Sequence, residues 1–281
     1  MPIRGGDSHP ASRVVTDSGD WFLKWNQRDR REQFQAESDG LVMLATHAPP
    51  DLYIPSATSV DSDQVLAWLL LPWMELDGPA APARLAENLV KLHQVRRTHY
   101  GWDQDNFLGR SPQLNAASTS WAEFWWQQRL LPHLQLACQN GWGATLEPQM
   151  AALEKRTEQL LNHHPDCSLL HGDLWSGNQG WLSDGRPVVF DPAPYYGDRE
   201  TDLAMMRLFG GFSATVFENY QSLWPLPPGA TQREPLYQLY HLLNHLNLFG
   251  DGWLPRVQQV MDTLTMNESL SGKGHGTGRV K

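Results

Sequence analysis

The sequence predicts an α+β fold in two parts, a small antiparallel β-rich part over 1–74 and a larger, mostly α-helical part over 75–268. Three observations predict it. Short β-type runs separated by turn residues crowd the first quarter, at Ser12–Thr16, Trp21–Trp25 and Val65–Trp73. After Pro82, apolar residues recur at helical spacing in successive stretches. One segment of different character, Leu169 to Phe212, interrupts them and gathers Asp, Asn and Gly around short apolar runs.

Composition narrows the class. At 281 residues, with 41% hydrophobic and 19% charged, the chain can bury a sizeable core and reads as an ordinary globular protein. A formal net charge of −9 argues against nucleic acid or an anionic membrane as partner. The two cysteines, Cys138 and Cys167, make no CxxC and no disulfide framework, so a reducing, cytoplasmic setting is expected. Met1–Asp20 lacks the apolar stretch of a signal peptide, and the longest apolar run, Val65–Trp73, is too short to span a bilayer. Thirteen Trp is a high count; packing accounts for most, and flat indoles also suit sugar faces.

Taken in order, Gly5-Gly6-Asp7-Ser8-His9 reads as a glycine turn whose backbone N–H groups can cover phosphates. Ser12–Thr16 and Trp21–Trp25, joined by the turn Asp17–Asp20, form a hairpin with Lys24 in its second strand. Arg31–Thr46 is helical, with Phe34, Leu41 and Leu44 toward the core and Glu37 among them. A strand lysine followed by a helix glutamate is the kinase pair, in which Glu orients Lys toward phosphates; a snorkelling edge lysine is the alternative. Residues 49–63 are Pro- and Ser-rich and read as a loop with a short extended piece at Tyr53-Ile54. Val65–Trp73 is an apolar strand that Pro72 breaks. In a kinase, Leu71, Pro72 and Trp73 would form the adenine-binding hinge, and a neighbour must donate the N–H that Pro72 lacks.

Pro82–Thr98 reads as a helix with Leu85, Leu89 and Leu92 on one face and His93 as a packed or hydrogen-bonded structural residue. Residues 101–118 read as a polar loop. Ser120–Asn140 is helical, with Trp121, Phe124 and Trp125 chiefly core and one or two Trp available to a substrate cleft. Further helices are expected over Leu146–His163, Thr201–Phe209, Phe212–Leu223, Arg233–Phe249 and Trp253–Met266, with Gly210-Gly211 as a stop. His241 and His245 have the i,i+4 spacing that can bind zinc, but Leu follows His241 where a metalloprotease helix has Glu, so a structural role is expected. Ser269–Lys281 is expected to be disordered.

The central segment carries the chemistry. His171-Gly172-Asp173-Leu174-Trp175-Ser176-Gly177-Asn178 sets an Asp and an Asn in one tight loop, and Asp191 follows the apolar Val188–Phe190. Kinase-type transfer needs one carboxylate to orient and deprotonate a hydroxyl, and an Asn and a second carboxylate to hold Mg²⁺ on ATP. Asp173 suits the first task, Asn178 and Asp191 the second. Pro192 is expected to hold Asp191 extended. His171 is expected to tie the loop to the metal segment, and Trp175 to wall the acceptor. The pattern points to an ATP-dependent small-molecule kinase.

HGDLWSGN, FDPAPYYGDRETDLAMMRLFGGF and LYQLYHLLNHLNLFG closely resemble the fructosamine kinase (ketosamine-3-kinase) family, and the resemblance runs from about Gly5 to about Trp253. It implies a bilobal, protein-kinase-like fold of the aminoglycoside-phosphotransferase type. It also implies phosphorylation by ATP and Mg²⁺ of the sugar 3-hydroxyl of ketoamines, free or on glycated amino acids and proteins, after which the adduct decomposes and frees the amine. By that resemblance Asp173 is the catalytic base, Asn178 and Asp191 are metal ligands, and Lys24 with its partner Glu37 meets the phosphates. Gly5 and Gly6 cover the nucleotide, Leu71, Pro72 and Trp73 meet adenine, and Trp175 touches the ketoamine. Asp198, Arg199 and Glu200 brace the loop after the metal site. Two departures stand out. The chain begins almost at its glycines, where family members carry a preceding segment, so a shortened first strand is expected. Asp7-Ser8 replace a cysteine often found there, so no thiol regulation through that loop is expected. The rival readings are a kinase of an aminoglycoside, choline or a sugar, and a nucleotide-binding pseudokinase; the retained Lys24, Glu37, Asp173, Asn178 and Asp191 argue against the last.

Overall fold

The computed structural model describes residues 9–266; the expected glycine turn at Gly5-Gly6 and the expected tail at 269–281 lie outside the described residues. The chain opens with an antiparallel hairpin of β1 (Ala11–Thr16) and β2 (Gly19–Gln27), which sets Ala11 opposite Lys24. The helix α1 (Arg31–His47) follows, and its Phe34, Leu41 and Leu44 are completely buried. Two more strands, β3 (Ser59–Ser62) and β4 (Leu66–Pro72), complete a sheet of order β1-β2-β4-β3. Along β4, Ala67, Leu69 and Leu71 are buried and their neighbours half-buried, the alternation that a strand with one face on the core requires. The 49–63 loop reading missed β3. As an edge strand with Val60 as its only apolar side chain, β3 is held by backbone pairing with β4, which leaves no hydrophobic pattern.

The helix α2 (Pro82–His93) buries Leu85, Leu89 and Leu92 but stops five residues before the expected Thr98. The chain turns at Gln94 so that β5 (Arg96–Arg97) can pair with β8 (Cys167–Leu170). The region expected as a loop at 101–118 holds a second hairpin, β6 (Asn106–Leu108) and β7 (Ser111–Gln113). Its Asn106 and Gln113 are buried, as is nearby Asn115. Polar composition disguised it, because these amides are satisfied by hydrogen bonds rather than water. The helix α3 (Trp121–Trp125) passes through a π-turn into α4 (Leu131–Ala137), and a second π-turn (Cys138–Trp142), kinked at Gly141 with φ 102°, leads into α5 (Gly143–Leu160). After β8 come the hairpin β9 (Gln179–Trp181) and β10 (Pro187–Val189), then β11 (Tyr195–Gly197), which pairs with β8. The helices α6 (Glu200–Leu208), α7 (Ala214–Leu223), α8 (Ala230–Phe249) and α9 (Leu254–Met266) finish the chain.

Compactness divides the chain elsewhere than at residue 74. One unit joins the residues up to Ser120 with Pro165–Pro228; the other joins Trp121–His164 with the residues from Gly229 onward. The first has a core of Phe34, Leu41, Leu69, Leu89, Leu169 and Met206, and it contains every expected site residue that the structure describes. The second is rich in aromatics. Trp121, Trp125 and Trp126 are all buried in it, so none of them faces a cleft as expected. The Trp121 indole N–H donates to the Tyr237 hydroxyl at 3.0 Å, and Trp125 meets Tyr237 edge-on at 5.0 Å between centroids. His245 hydrogen-bonds through Nδ1 to the His241 carbonyl at 2.8 Å, in keeping with a structural role. Among the described residues no helix is long and apolar enough to cross a membrane.

Adjacent positions on α1 separate burial from exposure. Leu41 is completely buried and Val42 is 56% exposed. Leu41→Ala is expected to cost about 2–5 kcal/mol in urea unfolding, and Val42→Ala less than about 0.5 kcal/mol. Equal losses would refute this placement of the helix.

Candidate active site

Lys24 is buried on β2, and its ammonium meets two carboxylates, Glu37 Oε1 on α1 at 2.8 Å and Asp191 Oδ1 at 2.7 Å. Burial disfavours the cation, but Asp191 and Glu37 outweigh it and hold Lys24 above the usual lysine range. Burial likewise pushes the Glu37 carboxyl up, against the pull of Lys24. The expected strand–helix pair is therefore formed, and Asp191 is its third member.

The loop after β8 is held by its backbone. Gly172 takes φ 82°, and a Cβ there would fall 1.9 Å from the Ala193 carbonyl oxygen, so no larger residue fits between the two polar segments. The N–H groups of His171 and Gly172 both donate to the Asp202 carboxylate, at 2.8 and 2.9 Å. The His171 ring accepts at Nδ1 from the Asp173 N–H at 3.3 Å and donates through Nε2 to the Phe190 carbonyl at 3.1 Å. It thus joins the Asp173 loop to the residue before Asp191, the structural task expected of it.

Asn178 brings the two aspartates together. Its Nδ2 donates to the Asp173 carbonyl at 2.9 Å, to Asp173 Oδ2 at 3.3 Å and to the Asp191 carbonyl at 3.3 Å. Lys24 takes only one oxygen of Asp191. Amide and carboxylate oxygens are hard donors of the kind Mg²⁺ takes. Asp191 does not adopt the extended conformation expected from Pro192: its φ is 58°, in the left-handed region. Three interactions hold it there, the Lys24 ion pair, the Asn178 bond to its carbonyl and the His171 bond to the carbonyl before it. The two carboxyls are pushed apart in acidity. Burial raises Asp191, but Lys24 outweighs it and the net shift is downward; burial and then the Asp191 charge drive Asp173 well above the ordinary carboxylate range.

At the end of β4, Leu71 is buried and the Trp73 N–H donates to the Asp20 carbonyl at 3.0 Å. Trp73 therefore is not the free donor that Pro72 leaves wanting; among the described residues the next N–H, that of Met74, meets no partner. The Trp73 indole is fixed by Glu75 Oε1 at 2.8 Å and by the Arg13 guanidinium 4.4 Å above its ring. Trp175 is 37% exposed and lies over Gly177, where a Cβ would fall 2.1 Å from its Cη2. Asp198 Oδ1 accepts from the Glu200 N–H at 3.0 Å, and Arg199 donates to the Trp224 and Pro225 carbonyls at 2.9 and 2.7 Å.

This architecture recurs in a solved aminoglycoside phosphotransferase, which aligns over 98% of this chain and 95% of its own with a TM-score of 0.60 at 17% identity. The fold is thus the kinase-like fold of small-molecule phosphotransferases. Nearer matches narrow the class. A crystal structure of a Haemophilus somnus protein assigned as a fructosamine-3-kinase aligns with a TM-score of 0.86 at 28% identity, over 94% of this chain and 90% of its own. The family model "Fructosamine kinase" matches residues 1–267. A "probable ketoamine kinase" of Synechocystis is 39% identical over 92% of this chain and 88% of its own length, and one of Escherichia coli K12 is 38% identical over 93% and 91%. The chain belongs to the fructosamine kinase family.

Asp202 is the site residue that sequence reading passed over. It is buried, and burial alone would raise its carboxyl, but His93 and the loop donors pull it below the ordinary range. His93 donates to it at 3.2 Å and accepts at Nδ1 from the Tyr220 hydroxyl at 2.8 Å. Nothing local in the sequence marked it out: it is an Asp in the first turn of a predicted helix, in the middle of the quoted motif. Asp202→Asn is expected to lower unfolding stability by about 3 kcal/mol and to cut turnover, whereas Tyr220→Phe costs about 1 kcal/mol. Chemical denaturation of both variants tests the order; a larger loss for Tyr220→Phe would remove Asp202 from its central place.

Proposed function

We propose that this protein is an ATP-dependent ketoamine kinase that phosphorylates the sugar 3-hydroxyl of fructosamine-type adducts, and so takes part in deglycation. The observation that carries the reading is the meeting of Asp173, Asn178 and Asp191 beside the Lys24–Glu37 pair in a member of the fructosamine kinase family. Asp173 orients the acceptor hydroxyl and takes its proton as the oxygen bonds to the γ-phosphorus. The bond from that phosphorus to the β–γ bridging oxygen breaks, and ADP leaves. A raised Asp173 suits this task, since a base works best when its acidity approaches the working pH. Asn178 and Asp191 would hold Mg²⁺, which neutralises phosphate charge when bound. Lys24 contacts the phosphates under the guidance of Glu37. Leu71, Pro72 and Trp73 line the adenine site, with the Met74 N–H as donor, and Gly5-Gly6 cover the nucleotide. The half-exposed Trp175 offers its indole face to the sugar. Both cysteines are free, which suits a reducing cytoplasm.

Purified protein with Mg-ATP is expected to phosphorylate a fructose–amine adduct, with phosphorus NMR placing the group on carbon 3. Product on another carbon, or turnover of aminoglycosides or choline alone, would exclude this reading. Asp173→Asn should lower kcat by about 10²–10⁴-fold and leave Mg-ATP binding in place, while Asp191→Ala should weaken that binding.

The acidity of Asp173 also sets a pH dependence. Only its unprotonated form accepts the hydroxyl proton, so kcat/KM should fall tenfold per unit below a pKa lying above the usual carboxylate range. A profile that stays flat down to the ordinary aspartate range would show that Asp173 is not the titrating base.

A further inference from the structure

We propose that Gln113, at the end of the β6–β7 hairpin, is a positioning residue for Asp191: with Asn106 it anchors the backbone that follows Asp191 and so sets where that carboxylate meets Mg²⁺; this rests on the kinase reading above but not on the identity of the acceptor. The need for such an anchor is visible in the segment itself. Asp191 holds a left-handed backbone, φ 58°, directly before Pro192. Pro192 and Pro194 carry no N–H, so residues 191–194 cannot close a regular sheet ladder. The Lys24, Asn178 and His171 contacts act at Asp191 and at the residue before it. The chain after it is held from the hairpin.

The Gln113 amide donates to the Ala193 carbonyl at 2.9 Å and to Asn106 Oδ1 at 2.8 Å. The Asn106 amide donates to the Pro194 carbonyl at 2.9 Å. Ala193 is gripped from its other side as well. Its N–H donates to the His171 carbonyl at 3.0 Å, and its carbonyl oxygen is the atom that leaves no room for a Cβ on Gly172. Pro194 in turn rests on Gly40 of α1. Two residues beyond Asp191, one peptide is therefore clamped between the Asp173 loop and the hairpin.

Gln113 and Asn106 are buried, so water does not replace a bond to these carbonyls when the amide is lost. Freed of Gln113, the Ala193 carbonyl no longer fixes the turn, and Pro192 then drives the residue before it toward the extended conformation. That rotation carries the Asp191 carbonyl off Asn178 and its carboxylate out of register, while Lys24 keeps Glu37 at 2.8 Å. Asn115 offers the contrast. It is equally buried, and its amide donates to Asn106 Oδ1 and to the Gln104 carbonyl, both at 3.0 Å. Those bonds brace the hairpin and end on residues 104 and 106, short of the segment after Asp191.

The test measures how much Mg²⁺ a non-hydrolysable ATP analogue needs in order to bind, without any acceptor. Calorimetry is run on the full chain, on Gln113→Met and on Asn115→Leu. Each variant deletes two donated bonds from the same buried network with little change of size. Gln113→Met is expected to raise the Mg²⁺ concentration for half-maximal binding by about tenfold, and Asn115→Leu by less than about twofold. Binding of the analogue without Mg²⁺ should change less than about twofold in both. If thermal unfolding shows that Gln113→Met does not fold, Gln113→Glu and Asn115→Asp make the same comparison with isosteric side chains. Equal shifts in the paired variants, no shift in the Gln113 variant, or an equal loss of its metal-free binding overturns the positioning role. If the unaltered chain binds the analogue at no Mg²⁺ concentration, the kinase reading falls and this role with it. If it binds but phosphorylates no ketoamine, the paired comparison still decides the role of Gln113.

Discussion

The Lys24 ammonium is gripped between Glu37 and Asp191, and the rest of the site depends on that grip. The three groups come from a strand, a helix and an irregular segment far apart in sequence. The buried Lys24–Glu37 pair contributes little net stability, because desolvation offsets the attraction, while removing either partner costs about 3–5 kcal/mol; the Asp191 side chain is 41% exposed and its loss costs less. Its effect is registration. It sets α1 against β2 at Glu37 and carries Asp191 to the same point. Gly40 makes the approach possible: a Cβ there would lie 2.9 Å from Pro194 Cδ, so the helix rests directly on the segment that follows Asp191. The left-handed backbone of Asp191, which costs about 1–3 kcal/mol by itself, persists because these contacts over-determine it.

The Asp173 side of the site is set by a second buried anion. Asp202 receives two backbone N–H groups from the loop and the Nε2–H of His93. The hydrogen bonds behind His93 run in one direction. Arg199 donates to the Tyr220 hydroxyl at 3.3 Å, Tyr220 donates to His93 Nδ1, and His93 donates to Asp202. Arg199 is itself held over the Trp224 ring at 3.7 Å and by two carbonyls near the end of α7. Each donor in this chain leaves the next atom a better donor, and the last acceptor is the carboxylate that positions His171 and Gly172. Asp173 is thus placed by its backbone, and among the described residues its carboxyl takes a hydrogen bond only at Oδ2, from Asn178.

How much of this was legible follows from where the information sits. Helices with a continuous apolar stripe, such as α1 and α2, and the apolar strand β4 read directly, because burial of one face imposes a period. Lys24, Glu37, Asp173, Asn178 and Asp191 read as a set, because few reactions need those groups together. The edge strand β3 and the β6–β7 hairpin did not, since backbone pairing and buried amides leave a sequence that looks like solvent-exposed loop. Asp202 did not, because a buried carboxylate serving backbone donors has no local signature; it is recognised by the loop it holds. The backbone of Asp191 ran against the preference imposed by Pro192, because tertiary contacts outweigh a local preference of that size.

Phosphoryl transfer and acceptor choice are carried by different features. In the proposed mechanism the Lys24, Asp173, Asn178 and Asp191 arrangement would serve any hydroxyl acceptor, and likeness to an aminoglycoside phosphotransferase at 17% identity concerns the shared fold alone. In that mechanism, acceptor choice would lie around the Asp173 loop, where small residues control the shape. Gly177 lacks the Cβ that would displace the Trp175 ring, so the indole lies flat against the loop. Gly211, φ 90°, sits where a Cβ would fall 2.3 Å from Ser176 Oγ, so the turn after α6 closes directly onto the same loop. Neither glycine bears a reactive group, yet each sets how closely its neighbour, Trp175 or Ser176, packs onto the loop. Under the proposed function, a half-exposed indole held by glycines in the Asp173 loop would suit an acceptor with an apolar sugar face and a hydroxyl at its edge. If the proposed function holds, Gly177 and Gly211 shape the surface that an acceptor meets by what they leave out.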